Sequence, residues 1–129
     1  MSRILVVDDE RDVTVMLKFL LEKNGNTVET ADDGRQALAA LGLDPVDAAK
    51  EPPDLVILDV VMPGVDGYAV CDRMLEEPRT RDVPVLMLTA KSEMRELHRH
   101  APNVAAQIDK PFDPASLRDL VTEMLDGAS

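Results

Sequence analysis

Positive charge is scarce in this chain: 14 Lys and Arg stand against 25 Asp and Glu, a formal net charge of −11. The deficit argues against direct nucleic-acid binding, which needs a basic face to neutralise phosphates, and against docking on an anionic membrane. Cysteine occurs once, so no internal disulfide can form, and a reducing compartment, the cytoplasm, is expected. No apolar run approaches the roughly 18 residues of a membrane span. The N-terminus lacks a basic segment followed by an apolar stretch. What remains is a chain of 129 residues, 45% apolar and 30% charged, enough to build the core of one domain and too little for two. It has no internal repeat.

The apolar residues change period in a regular order. Ile4-Leu5-Val6-Val7, Leu55-Val56-Ile57-Leu58 and Val85-Leu86-Met87-Leu88 are short continuous runs, the pattern of strands buried on both faces. Thr27 to Thr30 alternates weakly and suits an edge strand, and Val104 to Ile108 is a modest fifth strand. Between them lie helical stripes. Val13, Met16, Leu17, Leu20 and Leu21 form the first, stopped by Asn24-Gly25. Ala37, Leu38 and Leu41 follow an Asp33 cap. A third helix is expected near Tyr68 to Leu75 and a polar one around Ser92 to His100. Leu117, Leu120, Val121, Met124 and Leu125 follow Asp113-Pro114, a cap with proline at the first helical position. Gly42 to Pro53 reads as a long surface connection with a helical turn near Val46 to Lys50. Five alternations of strand and helix imply an α/β domain: a parallel sheet with helices on both faces.

In such a sheet, ligands bind at the carboxyl ends of the strands. The residues found there are Asp8 and Asp9, Asp59, Thr89 and Lys110. Three neighbouring carboxylates repel one another and need a cation or a raised pKa. Oxygen-only ligands suit Mg²⁺. A zinc site is not indicated, because His98 and His100 sit on the polar helix among Arg95, Glu96 and Arg99. A metal beside a carboxylate, a hydroxyl and a lysine is equipment for moving a phosphoryl group onto that carboxylate.

The segments ILVVDDE, LVILDVVMPGVDGY, PVLMLTA and DKPF occur in this order. With them, essentially the whole chain resembles the receiver domain of two-component response regulators, the stand-alone chemotaxis regulators included. The resemblance implies a flavodoxin-like, five-stranded parallel sheet of order 2-1-3-4-5. It implies that Asp59 accepts a phosphoryl group from a phosphohistidine on a sensor histidine kinase or phosphotransfer protein. Asp9 would ligate Mg²⁺ directly, Asp8 would hold metal-bound water, and Asp59 and the Val61 carbonyl would complete the protein ligands. Thr89 and Lys110 would sense the phosphoryl oxygens, and the Lys110-Pro111 bond would be cis.

On this reading residues 1–125 are a receiver, 126–129 a polar tail, and the protein is a single-domain cytoplasmic switch. It catalyses only its own phosphoryl transfer and dephosphorylation, and it signals by changing a partner-binding face between Glu93 and Leu125. Lys91, Arg95 and Arg99 recur at helical spacing and form either a docking face for a downstream protein or solubilising charge. The chain departs from the family in three places. Gln107 stands where an aromatic is usual, in a chain with only two Phe and one Tyr; Asn103-Val104 replaces Gly-Ala; and the Gly42 to Pro53 connection lengthens the interval from Asp9 to Asp59. Gln107 favours the alternative, a receiver-shaped scaffold bound regardless of phosphate. A phosphatase with an Asp nucleophile needs a second carboxylate two residues on, where Val61 stands.

Overall fold

The computed structural model describes residues 2–90 and 101–127. Strands β1 (Arg3–Val7), β2 (Thr27–Ala31), β3 (Leu55–Asp59), β4 (Val85–Ala90) and β5 (Val104–Lys110) form one sheet. The described helices are α1 (Arg11–Lys23), α2 (Gly34–Ala40), α3 (Gly67–Glu76) and α4 (Pro114–Gly127). The sheet is parallel throughout, in the order β2-β1-β3-β4-β5. The expected fold is therefore the observed one. The expected polar helix from Ser92 to His100, with Lys91, Arg95 and Arg99, lies outside the described residues.

Alternation along each strand sends side chains to two separate cores. Ile4, Val6, Leu55, Ile57, Leu86 and Leu88 pack with Leu17 and Leu21 of α1 and Leu117 and Val121 of α4. Leu5, Val7, Val56, Leu58, Val85 and Met87 pack on the other face with Ala37 and Leu38 of α2 and Tyr68, Val70, Cys71 and Met74 of α3. Every residue of β3 is buried, which explains its unbroken apolar run. Aspartates cap three of the helices: Asp33 accepts from the Gln36 amide and Asp66 from the Ala69 amide, both at 2.8 Å. Asp113 caps α4 at the Ser116 amide. That helix runs through Gly127, two residues past its last apolar position.

The 42–53 connection contains no helix. Gly42 turns the chain with φ +70, a conformation open to glycine without a Cβ clash. Leu43 then bridges Val46, and a single turn joins the Lys50 amide to the Asp47 carbonyl at 3.2 Å. Pro45 and Pro52-Pro53 bound the segment, and the Asp44-Pro45 bond is cis. Arginines outside the segment satisfy its carbonyls instead. Arg73 reaches Leu43, Arg79 reaches Gly42 and Lys50, and Arg3 reaches Glu51 and Pro52. The connection joins the end of α2 to the start of β3, at the edge of the sheet opposite the strand-end carboxylates.

Candidate functional site

The parallel register brings the ends of β1, β3 and β5 to one edge. Carboxylate oxygens of Asp8, Asp9 and Asp59 lie within 4.8 Å of one another. Into this cluster the last residue of β5 extends its ammonium: Lys110 Nζ lies 2.7 Å from Asp8 Oδ2, 3.3 Å from Asp59 Oδ2 and 3.5 Å from Glu10 Oε1. Asp8 is fully buried, Asp59 nearly so, and Asp9 is exposed. Asp8 also accepts the Glu10 amide at 2.9 Å, which turns the chain out of β1 towards α1. The Lys110-Pro111 bond is cis.

Burial pushes the Asp59 carboxyl up, the charge of Asp8 adds to the push, and Asp9 adds less. Lys110 pulls in the opposite direction, and the balance lies at about 7. Burial on its own would lower the Lys110 ammonium. The hydrogen bond and charge of Asp8, followed by those of Asp59, outweigh it and hold the lysine above its ordinary value. One lysine does not neutralise this many carboxylates. An all-oxygen cluster short of positive charge fits a hard divalent cation such as Mg²⁺, and Asp8, Asp9 and Asp59 are the side chains that would hold it. Val61, two residues past Asp59, is partly exposed on the loop into α3.

Thr89, the penultimate residue of β4, is buried and donates to Asp109 Oδ1 at 3.1 Å. The two residues face each other across the β4–β5 ladder, as do Ala90 and Lys110. Consecutive residues of β5 thus hold two different groups: Asp109 the Thr89 hydroxyl, Lys110 the carboxylates. Neither Asp109 nor Glu10 stands out in the sequence. Their only signal is adjacency to Lys110 and to Asp8-Asp9, and their roles depend on register and turn geometry. Gln107 is exposed, two residues before Asp109 on the same side of β5. His98 and His100 lie outside the described residues, and Cys71 is a buried core residue.

A glycine fixes where Asp59 sits. The Gly67 amide donates to the Val60 carbonyl at 2.8 Å, and a Cβ on Gly67 would lie 2.5 Å from the Asp59 carbonyl oxygen and 3.0 Å from Val60 Cα. Gly67→Ala must push α3 off the strand end that carries the acid. A loss of about 1–3 kcal/mol in urea denaturation is expected, the usual cost of overpacking against backbone. An unchanged midpoint and slope would show that the helix start yields freely.

A family model described as response regulator receiver domain matches residues 4–122. The chain is 35% identical over 126 residues to the DNA-binding dual master transcriptional regulator RpaA of Synechocystis sp., an alignment covering 97% of this chain and 49% of that relative. It spans about half or less of the length of the curated relatives it matches. Among solved structures, the signal receiver domain of a signal transduction histidine kinase from Syntrophus aciditrophicus superposes with TM-score 0.83 at 34% identity, covering 98% of this chain and 92% of that one. The chemotaxis protein CheY4 of Vibrio cholerae superposes with TM-score 0.76 at 30% identity, covering 96% and 98%.

Proposed function

The chain belongs to the response regulator receiver family, and we propose that it is a Mg²⁺-dependent phosphorylation switch in which Asp59 is the acceptor. Receiver domains accept phosphoryl groups, typically bind Mg²⁺, and work with histidine kinases or phosphotransfer proteins. The observation that carries the reading here is the convergence of Asp8, Asp9 and Asp59 within 4.8 Å, with Lys110 at 3.3 Å from the Asp59 carboxylate.

Lys110 holds Asp59 Oδ2 and so orients the carboxylate. A carboxylate oxygen attacks the phosphorus of a phosphohistidine, the P–N bond breaks, and its electron pair returns to the imidazole nitrogen, which takes a proton. The attacking group must be ionised, so the position of its pKa near 7 matters. A Mg²⁺ bound by Asp8, Asp9, Asp59 and the Val61 carbonyl would supply charge stabilisation at the phosphoryl oxygens. Lys110 then pairs with one of those oxygens and the Thr89 hydroxyl donates to another. The product carries up to about two negative charges where one stood. Re-pairing of Thr89 and Lys110 acts on β4 and β5 directly, which makes the C-terminal half the output face. No helix among the described residues is long and apolar enough to cross a membrane.

Intact-mass spectrometry after incubation with Mg²⁺ and acetyl phosphate tests the reading. One added phosphoryl group is expected, absent in Asp59→Asn and absent when the metal is chelated. A folded wild-type chain that takes up no phosphoryl group, with a short-lived adduct excluded by rapid quenching, would move the protein to the phosphate-independent scaffold that Gln107 favours.

A further inference from the structure

We propose that Asp109 holds the switch in its resting state by occupying the Thr89 hydroxyl. The inference rests on the reading of Asp59 as phosphoacceptor and Thr89 as the hydroxyl that serves the phosphoryl group. A threonine hydroxyl has one proton to donate. In this protein that proton goes to Asp109 Oδ1 at 3.1 Å, and Thr89 is only 3% exposed, so water competes poorly for it. A phosphoryl oxygen on Asp59 needs the same proton. The two acceptors exclude each other, and phosphorylation must therefore break the Thr89–Asp109 bond.

The placement of Asp109 makes this break a signal. Asp109 pairs with Thr89 across the ladder, and Lys110, the next residue, pairs with Asp59. Both groups that answer to phosphorylation are thus gripped by adjacent residues of one edge strand. When Thr89 leaves, Asp109 loses a partner that donates from a buried position, while Lys110 gains phosphoryl oxygens. The strand end is pulled on one side and released on the other. Gln107, on the same side of β5 as Asp109, offers no aromatic ring to follow Thr89. Asp109 provides a route from the hydroxyl to β5 that does not require one. It is a positioning residue, acting through Thr89 and not on the phosphoryl group itself.

The test uses the full chain and two substitutions. Asp109→Asn keeps an acceptor oxygen and removes the charge; Asp109→Ala removes both. In the metal-free, unphosphorylated protein, three-bond couplings to the Thr89 methyl carbon report its χ1. One rotamer is expected in the wild type and in Asp109→Asn, and averaging over rotamers in Asp109→Ala. Titration with beryllofluoride in Mg²⁺ should then show Asp109→Ala binding about five- to tenfold more tightly than wild type, the scale of one charge-assisted hydrogen bond lost from the resting state. In a Thr89→Val background the same substitution should give no gain. An unchanged Thr89 rotamer in Asp109→Ala, or an equal gain in the Thr89→Val background, would overturn the lock while leaving the acceptor reading intact. A wild-type chain that binds no beryllofluoride would overturn both.

Discussion

Asp59→Asn is expected to make the protein more stable than the wild type at pH 8 in metal-free buffer, although it removes the residue on which function depends. The carboxyl of Asp59 is raised from 3.8 to about 7 in the folded state, so the fold binds its proton more tightly than the unfolded chain does. A group raised in this way contributes its stability fully below its unfolded value, and loses it as pH rises through the folded one. The loss therefore runs from about pH 4 to about pH 7, and above it the wild type carries a buried, repelled anion. A neutral amide of the same shape carries none. Converted at about 1.4 kcal/mol per unit, the shift sets an upper limit of about 4 kcal/mol in favour of Asp59→Asn at pH 8, falling towards zero at pH 4. Urea denaturation of both proteins at the two pH values measures it. A gap of the same size at both would mean that the strain is not electrostatic. Mg²⁺ should narrow the gap at pH 8, since the variant keeps only two of the three carboxylates and gains less from the cation than the wild type.

Lys110→Met should act in the opposite sense. The ammonium lies 2.7 Å from a fully buried Asp8 and 3.3 Å from Asp59, and removing one partner of a buried pair leaves the other uncompensated. The cost is about 3–5 kcal/mol in comparable cases, reduced here to the extent that the orphaned carboxyls take up protons. The destabilisation should accordingly be largest at pH 8 and shrink by pH 5. Adding Asp59→Asn to Lys110→Met should recover part of it, since one of the unpaired acids is then gone. A cost that did not change with pH would assign the role of Lys110 to the packing of its aliphatic stem. Together the two variants separate acid–acid repulsion from the lysine that restrains it.

The strands and the strand-end acids were legible because each depends on a local pattern. Four apolar residues ended by an acid mark β1 and β3 wherever they occur, and capping aspartates mark α2 and α4. What sequence does not carry is which of two adjacent acids turns inward. Asp8 is the buried one, paired with Lys110, and Asp9 faces solvent; the Asp8-Asp9 dipeptide reads the same either way round. The Thr89–Asp109 bond was invisible for a similar reason, since it exists only in one register of β4 against β5 and that ladder contains a shift between Val85 and Leu86. The expected helical turn at Val46 to Lys50 is one turn, from the Asp47 carbonyl to the Lys50 amide, and goes no further. The Lys50 carbonyl is taken by Arg79, and those of Glu51 and Pro52 by Arg3, both distant in sequence.

The lysine that closes the acid cluster has a consequence for how the protein comes to exist. Lys110 meets Asp59 across 51 residues and Glu10 across 100, so the loop closed by this contact is nearly the whole domain. Closing it is among the slowest kinds of step in folding, because the chain entropy is lost before the contact rewards it. Until then Asp8 and Asp59 lie on neighbouring strands with no counterion from the protein. On a ribosome synthesising from the N-terminus, β1 to β4 emerge with this repulsion unrelieved by Lys110 until β5 docks. The charge that tunes the acceptor thus also ties the order of assembly to the completion of the sheet.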